Sequence, residues 1–179
     1  MFLTDHNTIA GAVGLRAESS AAVVVGEEVL TTEGEIIGLF LGKTIPHGLT
    51  PRETAIAIKA QGGLVYLEHP FDEFRRHLME DAIETIADLV DIVEVFNGRS
   101  GPDANRRAED LCTILDAAAG AGSDAHSLKE IGSVYVEIEE FEGAQDFLAK
   151  LRDARIVVGR RKLFLIAEAK FRYRRGRRK

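Results

Sequence analysis

Apolar positions along this chain change period several times, between short runs of strand length and longer stretches with helical spacing. The strand-like runs are Phe2-Leu3-Thr4, Ala22 to Val25, Ile36 to Leu41, Leu64 to Leu67, Ile92 to Phe96 and Val134 to Ile138. Between them the pattern predicts helices near 8–18, 51–61, 73–89, 103–118 and 142–153. The second of these carries its own start signal: Thr50 as N-cap, Pro51 at the first helical position and Glu53 to close a capping box. Gly62-Gly63 ends it. Near 103–118, Ala108, Leu111, Cys112 and Leu115 fall on one helical stripe. Strands alternating with helices argue for a parallel α/β sheet or a barrel. The stretch from Val23 to Leu41 is an exception, because two strand-like runs lie close enough around Thr31-Thr32-Glu33-Gly34 to form a hairpin.

A length of 179 residues suits one domain with a real core, and 45% hydrophobic with 29% charged residues is ordinary for a soluble fold. No window is long and uncharged enough to be a transmembrane segment, and the first residues lack a secretory pattern, so the expected location is cytoplasmic. Cys112 is the single cysteine, which excludes an internal disulfide and reads as an apolar helix position.

The net charge of −6 conceals an asymmetry. Residues 160–179 carry ten Lys/Arg and one Glu, a balance of +9, which leaves −15 on the remainder. An acidic body suits a cation site. The basic tail interleaves Phe171 and Tyr173 with arginines, which suits single-stranded nucleic acid or an anionic membrane surface; a solvated tail without a partner is the plain alternative.

Parallel α/β folds place their chemistry at the carboxyl ends of strands. Here five successive segments deliver His, Asp, Glu or Asn to such ends: Asp5-His6, Gly26-Glu27-Glu28, Glu68-His69-Pro70, Glu94 to Asn97, and Gly122-Ser123-Asp124-Ala125-His126. Imidazole together with carboxylate suits Zn, Mn or Fe, whereas an all-oxygen set would suit Mg or Ca. Asp124 and His126, two apart, share a face on an extended segment. His47 reads as a turn residue and His77 as part of a charged helix face.

In order and spacing these segments, with Gly62-Gly63-Leu64-Val65 before His69-Pro70-Phe71 and Glu130-Ile131-Gly132 after His126, resemble the PHP (polymerase and histidinol phosphatase) superfamily, in its small stand-alone phosphoesterase branch. The resemblance covers about residues 3–135. It implies a distorted (β/α)7 TIM-like barrel, here over residues 1–159, with 160–179 as an appended tail. It also implies two or three divalent metal ions held by His6, Glu28, His69, Asp124 and His126, with Asp5 orienting His6 from behind. Asn97 is a further ligand or substrate candidate, and Arg99 a candidate for holding a substrate phosphate. Family members open with a strand bearing two closely spaced histidines and a Ser-Asp-Gly-like element, and neither occurs here. The expectation is therefore an N-terminally truncated barrel lacking its first strand, with an in-frame extension upstream of Met1. Ile37 stands where some members have a histidine, which favours two metals over three.

Two functional readings follow. One is metal-dependent hydrolysis of phosphate esters, on a phosphorylated small molecule, nucleotide or oligonucleotide. The other is a catalytically impaired metal- or nucleotide-binding module.

Overall fold

The computed structural model describes residues 1–159; the basic tail at 160–179 lies outside the described residues. Six strands form one sheet in chain order: β1 (Phe2–His6), β2 (Val24–Thr31), β3 (Gly34–Leu39), β4 (Leu64–Leu67), β5 (Ile92–Asn97) and β6 (Ala118–Gly122). The β1–β2, β4–β5 and β5–β6 pairs are parallel. The β2–β3 hairpin runs antiparallel, so β3 also meets β4 antiparallel. The sheet is therefore mixed, parallel where strands alternate with helices and antiparallel at the expected hairpin. A second, two-stranded antiparallel sheet joins β7 (Val134–Glu137) to β8 (Arg155–Val158).

Helices α1 (Ala10–Glu18), α2 (Pro51–Lys59), α3 (Glu80–Ile86), α4 (Pro102–Ile114) and α5 (Gly143–Leu151) complete the described residues. Helix α2 starts as its sequence requires: the Thr50 hydroxyl accepts from the Glu53 amide, and the Glu53 carboxylate accepts from the Thr50 amide. Its inner face buries Pro51, Thr54, Ala55 and Ile58. Burial of a side chain such as Ile58, fully shielded here, contributes roughly 1.5–3 kcal/mol.

The expected helix at 73–89 shrinks to α3 because tertiary contacts claim its first half. The Met79 amide donates to the Glu33 carbonyl, and Leu78 packs beneath the β2–β3 turn. Gly34 permits that contact: its φ is +127°, and a Cβ there would lie 2.2 Å from the His77 carbonyl oxygen.

Strand alternation divides the sheet into two faces. One carries Val29, Ile36, Val65, Leu67, Val93 and Val95 against α2, α3 and α4. The other carries Ile37, Leu39, Leu64 and Ile92, covered at one end by Phe147 and Leu151 of α5. Phe2, Phe40, Phe141 and Phe147 stack there, with the Phe141–Phe147 centroids 4.8 Å apart and Phe2–Phe147 4.9 Å. Beyond these rings the same face becomes polar and lines a cleft of about 1720 Å³.

Candidate metal centre

The polar end of this cleft is lined by His6, Glu28, Glu68, His69, Glu94, Asn97, Asp124 and His126, brought from β1, β2, β5 and the segments after β4 and β6. Six of the eight are the sequence-derived candidates. Alternation explains the choice within β2: Glu28 faces the cleft, whereas Glu27 points the other way and accepts the Ile45 amide at 2.8 Å. On β1 the same rule turns Asp5 away from His6. Its carboxylate lies over α1, 2.1 Å from where a Cβ at Gly11 would sit, so Asp5 does not orient the His6 ring as expected.

On a regular strand, Glu94 and Asn97 would face opposite sides. The β5–β6 register shifts between Glu94 and Phe96, and this bulge returns Asn97 to the cleft. There its amide donates to Glu94 Oε2 at 2.8 Å and to Asp124 Oδ2 at 3.2 Å. His69 and Asp124 have φ of +29° and +47°, a conformation that costs of order 1–3 kcal/mol and aims strand-end side chains where extended backbone would not.

The tightest cluster is one that sequence reasoning caught only in part. His6 Nδ1 lies 3.7 Å from Glu28 Oε1 and 3.5 Å from Glu35 Oε1, and His69 Nε2 lies 4.0 Å from Glu28 Oε1. Glu35 was missed. It precedes Ile37 by two on β3, and period-2 alternation would have placed it on the same face. Glu68, Glu94 and Arg75 were likewise outside the expected set. Arg99 donates its backbone N–H to Asn97 Oδ1 at 2.8 Å, beside the cluster.

Electrostatics here are those of a site short of positive charge. Burial, then the Glu35 and Glu94 carboxylates, push Glu28 up to about 7. Burial, then the Glu28 carboxylate, hold Glu68 well above the usual carboxylate range. Burial also raises Glu94, opposed by hydrogen bonds from Asn97 and His69. His69 is held down at about 3 by burial and by Arg75. The His126 ring nitrogen Nδ1 sits 3.0 Å from the Asp124 carbonyl, which can only accept; the proton is on Nδ1 and the lone pair on Nε2.

These residues fit divalent cations. Glu68 Oε1 and His69 Nδ1 are buried and have no hydrogen-bond partner among the described residues. One ligand atom each from His6, Glu28 and Glu35 lies within 4.8 Å of the others, and the 3.5–3.7 Å pairs match the about 3.4 Å ligand spacing that ~2.1 Å bonds give in a tetrahedral site. Crowded carboxylates with elevated proton affinity are also what a bound cation relieves.

Residues 102–156 match the family described as PHP-associated. The chain is 50% identical over 99 residues to one uncharacterised protein of Methanocaldococcus jannaschii, covering 53% of this chain and 56% of that one. A second uncharacterised protein of the same organism is 39% identical over 122 residues, covering 65% of this chain and 52% of its own length. The chain thus spans about half the length of the curated relatives it matches. Among solved structures, PsfC from Pseudomonas syringae superposes with a TM-score of 0.63 at 16% identity, covering 87% of this chain and 66% of that one. A candidate metal-dependent phosphoesterase from Bifidobacterium adolescentis superposes with a TM-score of 0.57 at 16% identity, covering 70% and 77%. At that identity the likeness concerns the fold.

Proposed function

We propose that this chain is a metal-dependent phosphoesterase of the PHP superfamily, with His6, Glu28, His69, Asp124 and His126, joined by Glu35, as its metal-holding residues. The observation that carries this reading is the convergence of these side chains, far apart in sequence, on one end of one cleft. Divalent ions such as Mn, Zn or Fe held there supply Lewis-acid chemistry: they acidify water and neutralise charge on phosphoryl oxygens.

The chain's own residues do the rest. Burial keeps His69 neutral, so its imidazole retains a lone pair at any physiological pH. Asn97 bridges Glu94 and Asp124 and so fixes the spacing between β5 and the segment after β6. Glu68 accepts the Ile37 amide at 3.1 Å through one carboxylate oxygen, which leaves Oε1, without a hydrogen-bond partner among the described residues, for a cation in the cleft. Arg99, whose charge acts on His126, would meet a phosphate at the mouth.

This reading carries finer expectations. They are a distorted barrel of which the six-stranded sheet is the larger part, a nucleotide or oligonucleotide as substrate, and a cytoplasmic location. No helix among the described residues is long and apolar enough to cross a membrane.

The test is hydrolysis of a chromogenic phosphodiester by the chelator-stripped chain, with and without Mn2+ or Zn2+. Turnover that returns with metal in the wild type, and is lost in D124A and H126A, supports the proposal. Turnover that survives both chelation and these substitutions overturns it.

A further inference from the structure

Arg75 sits in the loop between β4 and α3, and its guanidinium is held along one edge. Nη2 donates to Asp72 Oδ2 at 2.7 Å, Ser100 Oγ at 2.9 Å and Asn97 Oδ1 at 3.1 Å, and Nε donates to Asp72 Oδ2 at 3.1 Å. The remaining corner, Nη1, presses on Asp124 Oδ2. Two loops therefore brace one side of a rigid fork while its free end is aimed at a residue of the proposed metal set. The Arg75 side chain is 23% exposed and that of Asp124 18%, so the contact is half-buried yet open to the cleft.

We propose that Arg75 is a phosphate-binding residue whose guanidinium competes with a cation for Asp124. This rests on the metal-dependent phosphoesterase reading. Asp124 Oδ2 cannot serve the guanidinium and a divalent ion equally, because the two cations repel and compete for the same lone pairs. Nη1 is buried and has no hydrogen-bond partner among the described residues, and an unmatched charged donor there is costly. A phosphoryl oxygen entering beside Asp124 supplies the missing bond. Braced by Asp72, Ser100 and Asn97, the fork needs little reordering to receive it.

Calorimetric titration of the chelator-stripped full chain tests this, first with MnCl2, then with inorganic phosphate at saturating Mn2+. R75Q is expected to bind Mn2+ at least about threefold more tightly and phosphate at least about tenfold more weakly, the loss of one charge-assisted hydrogen bond. R75K, which keeps the charge and loses the fork, should move both constants in the same directions by less, and it decides the matter should R75Q fail to melt cooperatively. Unchanged or weaker Mn2+ binding in the variants reduces Arg75 to a structural brace and overturns the proposal. Unchanged phosphate binding overturns it as well. A wild-type chain that takes up no Mn2+ instead sinks the underlying metal reading, before any variant is compared.

Discussion

The backbone N–H of His69 donates to the Glu94 carboxylate at 2.9 Å, and this bond secures a left-handed residue at the mouth of the cleft. The same Glu94 oxygen accepts the Asn97 amide. E94A removes the shared acceptor and leaves two donors buried, so it should destabilise the chain by about 2–4 kcal/mol. Urea denaturation at pH 7 measures this. A loss below about 0.5 kcal/mol, the scale of an ordinary surface change, would show that the bond is incidental.

Glu35 should reveal itself by moving stability and metal affinity in opposite directions. Its carboxylate raises the proton affinity of Glu28 through repulsion, so E35Q should stabilise the metal-free chain at pH 8 by about 1 kcal/mol. As a candidate ligand, its loss should weaken Mn2+ binding at least about tenfold, the smaller end of what even outer partners of a metal contribute. Thermal melts with and without Mn2+ check both. E35Q that leaves the Mn2+-induced rise in Tm intact would remove Glu35 from the metal set.

Much of this was legible in the residues, and the failures have physical causes. The capping box of α2, the β2–β3 hairpin and the strand-end histidines were readable because each is local: a few neighbouring residues fix the geometry. Strand β6 was not, since Ala118-Ala119-Gly120-Ala121-Gly122 has no β-branched or aromatic residue, and its place is set by packing: a Cβ on Gly120 would lie 2.6 Å from the Tyr66 ring. The residues 73–79 had helical spacing, yet Asp72, Ser100 and Asn97 capture Arg75 and hold the loop open. The bonds from Asn97 and Ser100 join residues 22 and 25 positions apart and leave no periodic trace. Glu35 and Asp5 were misjudged for a simpler reason: alternation was applied to Asp124 and His126 but not to β3 and β1.

The capping box offers a prediction independent of the metal. T50A removes the acceptor for the Glu53 amide while leaving Pro51 and the buried face of α2 in place. Stability should fall by about 1 kcal/mol, with Mn2+ affinity unchanged. A matching loss of Mn2+ affinity would mean that α2 transmits strain to the cleft, contrary to the division of the sheet into a packed face and a polar one.

Acidity should act on the metal-free and metal-loaded chains differently, and the signs can be worked out. Glu28, raised from 4.5 to about 7, makes the folded state hold a proton that the unfolded chain releases, so its contribution is present below pH 4.5 and is lost as pH rises through 7. His69, lowered from 6.5 to about 3, makes the unfolded chain hold the extra proton, so its contribution is present above pH 6.5 and is lost as pH falls through 3. Between pH 4.5 and 6.5 the two slopes oppose, and the raised Glu68 and Glu94 add to that of Glu28, so metal-free stability should fall as pH rises through this window and decline by about 2 kcal/mol on the acid side by pH 3. Metal binding runs the other way: it requires the Glu28 proton to leave, so Mn2+ affinity should drop about tenfold for each pH unit below 7 and level off above it. Titrations from pH 5.5 to 8.5 on the wild type and on E28Q check this. A wild-type affinity that is flat over that range would mean that Glu28 gives up no proton to the ion and lies outside the centre.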